Sequence, residues 1–157
     1  MTEQEAERLI RALIHDYAHC VDDDRLEEWP DFFTGTCFYQ VISRDDHDRG
    51  LPAGVMTCRS RGMLVDRVVS LRNANVYEPH VYRHLISAIR LRGEENGVWS
   101  VQTGYAVIRT MQEGAVSVFS TGKYLDKVIF EGGKPLFKER IAVFDSRRVD
   151  TLMVIPI

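Results

Sequence analysis

The stretch that decides the fold is VWSVQTGYAVIRTMQEGAVSVFSTGKYLDKVIF, residues 98–130. Apolar and polar side chains alternate along most of it, which is the pattern of β-strands that bury one face. Gln112-Glu113-Gly114 interrupts the alternation with a short turn signal. The sequence therefore predicts an antiparallel hairpin of two long strands, Val98–Met111 and Ala115–Phe130.

Two further strands flank this hairpin, and we predict them over Val81–Leu91 and Leu136–Phe144. Turn signals lie at Gly93 with Asn96-Gly97, and at Gly132-Gly133. Connections this short join neighbouring antiparallel strands, so the four strands form a meander. A sheet with one apolar face needs another layer to cover that face.

The N-terminal third can supply the cover, because its apolar residues recur at helical spacing. They are Leu9, Ile10, Leu13, Ile14, Tyr17, Ala18 and Val21. The acidic triplet Asp22-Asp23-Asp24 is predicted to end this helix. A second apolar stripe surrounds Pro30 and consists of Leu26, Trp29, Phe32 and Phe33.

Between the helical start and the meander, we predict a short strand over Cys37–Ser43 and an exposed loop over Arg44–Pro52. A third helix is predicted near Arg61–Ala74, with Met63, Leu64, Val68 and Leu71 on one face. The predicted fold class is α+β, a curved antiparallel sheet wrapped around N-terminal helices. Residues 1–157 are predicted to form a single domain.

Composition narrows the function classes. The net charge of the 157 residues is −3, which gives no electrostatic reason to expect nucleic acid or a membrane as partner. No apolar run approaches the roughly 18 residues of a membrane span, and the polar start MTEQEAERL is unlike a secretory signal. A cytoplasmic location is therefore expected. Cys20, Cys37 and Cys58 include no CxxC pair and are predicted to be reduced thiols.

Two histidines, His80 and His84, are the most tempting metal ligands. Four residues apart on a helix they would share a face, but Val81 and Tyr82 favour a strand, where the same spacing separates them by about 13 Å. That distance is too long for one ion, so we interpret them as structural.

The charged runs have equally ordinary interpretations. Those at Asp22-Asp23-Asp24 and at Asp45, Asp46, His47 and Asp48 are expected to be solvated caps or loops, since like charges resist burial together. Asp66 with Arg67 suggests an ion pair or an interface contact, whereas Asp126 and Asp145 suggest capping or cross-strand pairing. Neither GxGxxG nor GxSxG occurs. The sequence thus predicts no catalytic, cofactor-binding or metal-binding residue in this chain.

A series of segments along nearly the whole chain resembles the small (β) subunits of Rieske-type aromatic-ring-hydroxylating dioxygenases. The segments are Tyr17 with Asp22 and Leu26, Glu28-Trp29-Pro30, Phe32-Phe33, Tyr39, Met63–Val68, Tyr77-Glu78, Tyr82-Arg83-His84, Gly122–Lys127 and Glu139–Ser146. Each is weakly specific alone, but their order and spacing together are specific. Arg72–Glu78, Tyr124–Lys127 and Asp150–Ile157 are most similar to the branch acting on benzoate-type acids, in particular to terephthalate dioxygenase small subunits.

The resemblance implies a cone-shaped fold shared with nuclear-transport-factor-like and scytalone-dehydratase-like proteins. It implies a structural, non-catalytic subunit in a hexamer of three α and three β subunits, with a β trimer as its stalk and a reductase acting on the complex. In that family the α subunit holds a Rieske [2Fe–2S] cluster and a mononuclear Fe(II). This chain has no CxH…CxxH pair and so cannot build the Rieske site.

Other functions remain open at this point. The chain is also similar to salicylate hydroxylase small subunits over Gly62–Val68 and Tyr124–Asp126. A free-standing dehydratase or isomerase of the same fold would use a His/Asp pair, with candidates His15, His19, His80, His84 and Asp22. A self-associating ligand-binding module is a third possibility.

If the chain is a trimeric stalk, large apolar or arginine side chains of the meander must lie at subunit contacts. The predicted contact residues are Trp99, Tyr105, Arg109 and Phe119.

Overall fold

The computed structural model describes residues 1–73, 77–147 and 153–157. Its helices are α1 (Glu3–Asp22), a 3₁₀ helix (Leu26–Phe32), α2 (Arg44–Asp48) and α3 (Arg61–Asn73). Its strands are β1 (Phe33–Ser43), β2 (Met56–Cys58), β3 (His80–Glu95), β4 (Val98–Met111), β5 (Val116–Glu131) and β6 (Lys134–Phe144). The predicted α+β class and the predicted strands of the meander are confirmed.

Capping residues define both ends of α1. The Thr2 side chain accepts a hydrogen bond from the Glu5 amide, which satisfies one of the free N–H groups of the first turn. Asp23 ends the helix, with its own amide bonded to the His19 carbonyl oxygen at 2.9 Å. One face of α1, including Ile10, Ile14 and Tyr17, is buried against the sheet.

The six strands form one sheet in the order β2-β1-β6-β5-β4-β3. All neighbours are antiparallel except β1 and β6, which run parallel. A parallel pair needs a long crossover, and here most of the chain provides it. The edge strands are β2 and β3, and α1 packs against β3, where its Asp22 side chain accepts a hydrogen bond from the His84 amide.

Gly122 allows two strands to approach closely in the middle of the sheet. A Cβ at this position would overlap the carbonyl oxygen of Val143 on β6. Only glycine therefore fits without a backbone shift.

Three local features differ from the predictions, and a fourth prediction is not tested. The predicted loop from Arg44 begins with α2, which the Ser43 side chain caps by accepting from the Asp46 amide at 3.1 Å. The short strand β2 was not predicted, because three residues carry no periodicity. Met63 is exposed on α3, one position away from the buried Leu64. The predicted helix end at Ala74 lies outside the described residues.

Candidate functional site

The interior of the cone is filled by aromatic side chains and the segment 153–157. Met153, Val154, Ile155 and Ile157 are all buried. The Ile157 oxygen accepts hydrogen bonds from the hydroxyls of Tyr17 at 3.0 Å and Tyr39 at 2.7 Å. The Ile157 amide in turn donates to the Tyr39 hydroxyl at 3.1 Å. The segment is thus fixed by hydrogen bonds within the core.

Tyr17 links this segment to the helices. Its hydroxyl accepts from Trp29 Nε1 at 3.0 Å, and Trp29 is fully buried. Burial raises the pKa of Tyr17 to about 12, against a smaller opposing effect of Arg140. Tyr17 is therefore a neutral hydrogen-bonding group at physiological pH rather than a candidate base.

The structure joins Asp22 and His84, two of the residues considered for acid/base chemistry. Asp22 is the last residue of α1, and its Oδ1 lies 2.6 Å from His84 Nδ1 on β3. Its other oxygen accepts from the His84 amide at 2.9 Å. Both side chains are buried, with 3% and 0% exposed. The expectation that Asp22 is a solvated cap is wrong, because only its neighbours Asp23 and Asp24 are exposed.

A carboxylate that orients a histidine is one half of an acid/base site. The other half would be a reacting group near Nε2, and this nitrogen has no hydrogen-bond partner among the described residues. Tyr82 packs edge-on to the His84 ring, with 6.2 Å between ring centroids. Because the imidazole is not accessible to solvent, a substrate could reach it only if the interior opened.

The remaining candidates are not brought together. His15 and His19 are exposed on α1. His80 is half-buried at the start of β3, where Nδ1 lies 2.8 Å from the Glu78 carbonyl oxygen. The strand that separates His80 from His84 was predicted correctly. Asp66 and Arg67 are exposed and form no ion pair within the described part of the chain.

The charged run at the start of α2 is mostly exposed, as expected for a solvated segment. Asp45 and Asp48 are exposed, and Asp46 and His47 are half-buried. Asp145 forms an ion pair with Arg44 at 2.5 Å.

Sequence reasoning missed the role of Arg140, the largest charged group in the core. Its guanidinium carbon lies 3.6 Å from the ring centroid of Tyr124, 4.2 Å from that of Tyr17 and 4.4 Å from that of Phe137. Its Nε is 3.5 Å from Asp126 Oδ1, and both side chains are fully buried. Burial raises the pKa of Asp126 to about 7, against the opposing effect of Arg140. The predicted cross-strand pairing of Asp126 is confirmed, since Asp126 and Arg140 are register partners on β5 and β6.

Apolar side chains are exposed on the outer face of β3 and β5. Val81, Leu85, Val116 and Val118 are all more than half exposed. We call these four residues together with Arg83 the outer-sheet patch, because Val81 and Arg83 on β3 are connected through β4 to Val116 and Val118 on β5. A contiguous exposed apolar surface is typical of an interaction site.

The predicted contact residues do not form this patch. Tyr105 is buried in the core, and Trp99 and Phe119 pack against the core. Arg109 lies 4.8 Å from the ring centroid of Phe119. The alternation of apolar and polar residues predicted that each strand of the meander has two different faces. It did not indicate which of these faces is directed outward.

No metal site is evident in residues 1–73, 77–147 and 153–157, where no group of three or more His, Cys, Asp or Glu side chains could hold an ion. Within the same residues, no helix is long and apolar enough to cross a membrane. Cys20, Cys37 and Cys58 are free and buried.

Helices over the concave face of a strongly curved sheet define a cone of the nuclear-transport-factor-like class. A structure assigned as a scytalone dehydratase from Novosphingobium aromaticivorans has this fold, with a TM-score of 0.70 at 17% identity over 90% of this chain and 85% of that one. Residues 17–151 match the family model described as "Ring hydroxylating beta subunit". The chain belongs to this family.

Three relatives are similar over nearly their whole length. The chain is 44% identical to the β 2 subunit of the terminal oxygenase component of terephthalate 1,2-dioxygenase from Comamonas sp., over 90% of this chain and 92% of the relative. It is 39% identical to the small subunit of anthranilate 1,2-dioxygenase from Burkholderia cepacia, over 90% and 88%. A crystal structure of a β subunit assigned to an aromatic-ring-hydroxylating dioxygenase of Novosphingobium aromaticivorans matches with a TM-score of 0.89, 43% identity and 98% of both chains.

Proposed function

We propose that this chain is the structural, non-catalytic small subunit of a terminal oxygenase that dihydroxylates an aromatic carboxylic acid. The reaction would use O₂ and NADH-derived electrons, and terephthalate is the proposed substrate. The observation that carries the proposal is the 44% identity to a terephthalate dioxygenase β subunit over 141 residues. The packed interior supports the structural role, because Met153, Val154, Ile155 and Ile157 are part of the hydrophobic core together with its aromatic side chains.

The chemistry would belong to a large α subunit. That partner would hold a Rieske [2Fe–2S] cluster, which passes electrons, and a mononuclear Fe(II) on two histidines and a carboxylate. Three α and three β subunits would form the complex, with a reductase supplying electrons in the cytoplasm. This chain's own residues would contribute surfaces for assembly.

The outer-sheet patch supports self-association of the β subunits. Four aliphatic side chains more than half exposed on one sheet face would be desolvated in a trimer. Arginine is enriched at protein interfaces, and Arg83 lies between Val81 and Leu85 on the same face of β3.

Co-expression with a candidate large subunit from the same organism tests the proposal. The purified complex is expected to contain iron and the cluster, and to convert terephthalate to a cis-dihydrodiol when reductase and NADH are added. The isolated chain is expected to turn nothing over and to bind no iron or zinc in stoichiometric amount. Preference for anthranilate, benzoate or salicylate over terephthalate would refute the substrate proposal but not the subunit role.

The pair of Asp22 and His84 favours a second candidate, a free-standing dehydratase or isomerase. Replacing His84 by Asn in the complex separates the two functions. A structural histidine predicts that lost activity follows lost hexamer, with turnover per assembled iron site nearly unchanged. A variant that assembles fully, keeps its iron and cluster, and still loses more than about a hundredfold in rate would support the catalytic role.

A further inference from the structure

A groove on the helical side of the molecule has an apolar floor and an acidic rim. It lies between α1, the 3₁₀ helix and the turn that joins β5 to β6, with a volume of about 370 Å³. Leu9, Leu13 and Phe32 line the floor. The carboxylates of Asp16 and Asp31 and the ammonium of Lys134 lie at the rim. We call these six residues the acidic groove.

The two rim aspartates differ from the other carboxylates nearby. Asp16 and Asp31 are exposed and have no hydrogen-bond or ion-pair partner among the described residues. Glu28 also lines the groove, but its charge is paired with Arg25 at 3.2 Å. With Lys134 at the same rim, the acidic groove carries one net negative charge. One additional cationic side chain would neutralise it.

The outer-sheet patch carries such a side chain. Arg83 is exposed on β3 and forms no ion pair within residues 1–73, 77–147 and 153–157. Val81 and Leu85, two residues before and after it, are 58% and 53% exposed on the same face. The arginine is thus flanked by exposed aliphatic side chains, which burial against an apolar partner surface would stabilise.

Symmetry requires two different surfaces for a ring of three copies. A three-fold ring forms only from heterologous contacts, in which one patch of each copy meets a different patch of the next. The outer-sheet patch lies near the start of β5, whereas the acidic groove lies near its end, beside Lys134. The two surfaces are therefore separate on one copy and both are available to neighbouring copies.

We propose that the outer-sheet patch of one copy docks into the acidic groove of the next, with Arg83 between Asp16 and Asp31. This inference rests on the proposed self-association and identifies the surfaces that carry it. The guanidinium would pair with the two carboxylates and stack on Phe32, while Val81 and Leu85 cover the apolar floor. Arginine suits such a site because its planar, weakly hydrated cation binds carboxylates and aromatic faces together.

Charge reversal with rescue tests the pairing on the purified chain. Light scattering over a range of concentrations gives the midpoint concentration of trimer formation. Arg83→Glu and Asp31→Arg are each expected to raise this midpoint at least about tenfold, because like charges would meet in the interface. The double variant R83E/D31R is expected to return the midpoint to within about threefold of the wild-type value, since the pair is restored with its signs exchanged.

Arg90→Glu is the matched control, because it makes the same charge change at an exposed position further along β3. It is expected to leave the midpoint unchanged. Thermal unfolding at a concentration well below the trimer midpoint, where all variants and the wild type are monomeric, is expected to be the same for all of them, since the replaced side chains are exposed.

The possible failures are distinguishable. A trimeric wild type whose single variants remain trimeric, or whose double variant is not rescued, overturns this inference and leaves the proposed trimer intact. A wild type that is monomeric at every concentration overturns both the proposed self-association and this inference. If Asp31→Arg keeps the trimer but no longer binds the large subunit, the acidic groove serves that partner and the inference is wrong.

Discussion

Replacing Asp126 by Asn should change how the stability of the chain depends on pH. Burial raises the pKa of this carboxyl from 3.8 to about 7. A group whose pKa is raised by folding contributes full stability below its unfolded pKa and loses that contribution as pH rises through the folded value. Ionising Asp126 should therefore destabilise the folded chain progressively between about pH 4 and pH 7.

The magnitude follows from the two pKa values. Their difference of roughly three pH units, at about 1.4 kcal/mol per unit, corresponds to about 4 kcal/mol of unfolding free energy. Asn cannot titrate, so the D126N variant should lack this loss. Near pH 4 the Asp126 carboxyl of the wild type is protonated. In neither protein does residue 126 then supply a negative charge to Arg140. The variant should then gain about 4 kcal/mol relative to the wild type by pH 8.

Urea unfolding of both proteins between pH 4 and pH 8, at one protein concentration, measures this difference. Subtracting the two profiles removes the titration of all other groups. Two results would refute the reasoning. One is a difference that stays flat with pH. The other is a variant that becomes 3–5 kcal/mol less stable at pH 8, which would mean that the buried pair is ionised and stabilising.

Three further substitutions test the packing. Replacing His84 by Asn should cost about 1–3 kcal/mol, because the buried carboxylate that binds it loses one partner; urea unfolding without loss would argue against a structural role. Tyr39→Phe removes the hydroxyl that bonds to both the amide and the oxygen of Ile157, and should cost about 1–3 kcal/mol in the same assay. Gly122→Ala should lower the free energy of unfolding by about 3 kcal/mol or more, or prevent folding. Gly35→Ala is the control, because nothing lies within 4 Å of the Cβ that it would add, and it should change the free energy of unfolding by less than about 0.5 kcal/mol. Equal melting temperatures for the two alanine variants would contradict the close approach of β5 and β6 at Gly122.

The sequence predicted a helix or strand well wherever its pattern of apolar residues repeated over many positions. The strand Val98–Met111 was predicted to the residue, since fourteen positions of alternation define both the element and its turn. The strand β2 and the helix α2 span three and five residues, and neither is long enough for a period to show. The parallel pairing of β1 with β6 depends on long-range packing, which no local pattern reports.

The candidate site was predicted less completely, for a physical reason. Asp22 belongs to an acidic triplet whose other members are exposed, so composition favoured a solvated cap. Its side chain is instead directed to His84, 62 positions later in the chain, by the way α1 lies on β3. Arg140 is surrounded by rings from α1, β5 and β6, and such a cage is defined only once those elements have packed.

The parallel pairing of β1 with β6 also has a consequence for synthesis on the ribosome. Val41 finds its partner Ala142 about a hundred residues later. At a translation rate of about 5–20 residues per second, about 5–20 s pass between the synthesis of β1 and the synthesis of β6. During this interval the apolar face of α1 and one edge of β1 lack the sheet that covers them. The nascent chain is thus a natural client for a chaperone that holds apolar segments until β6 has emerged.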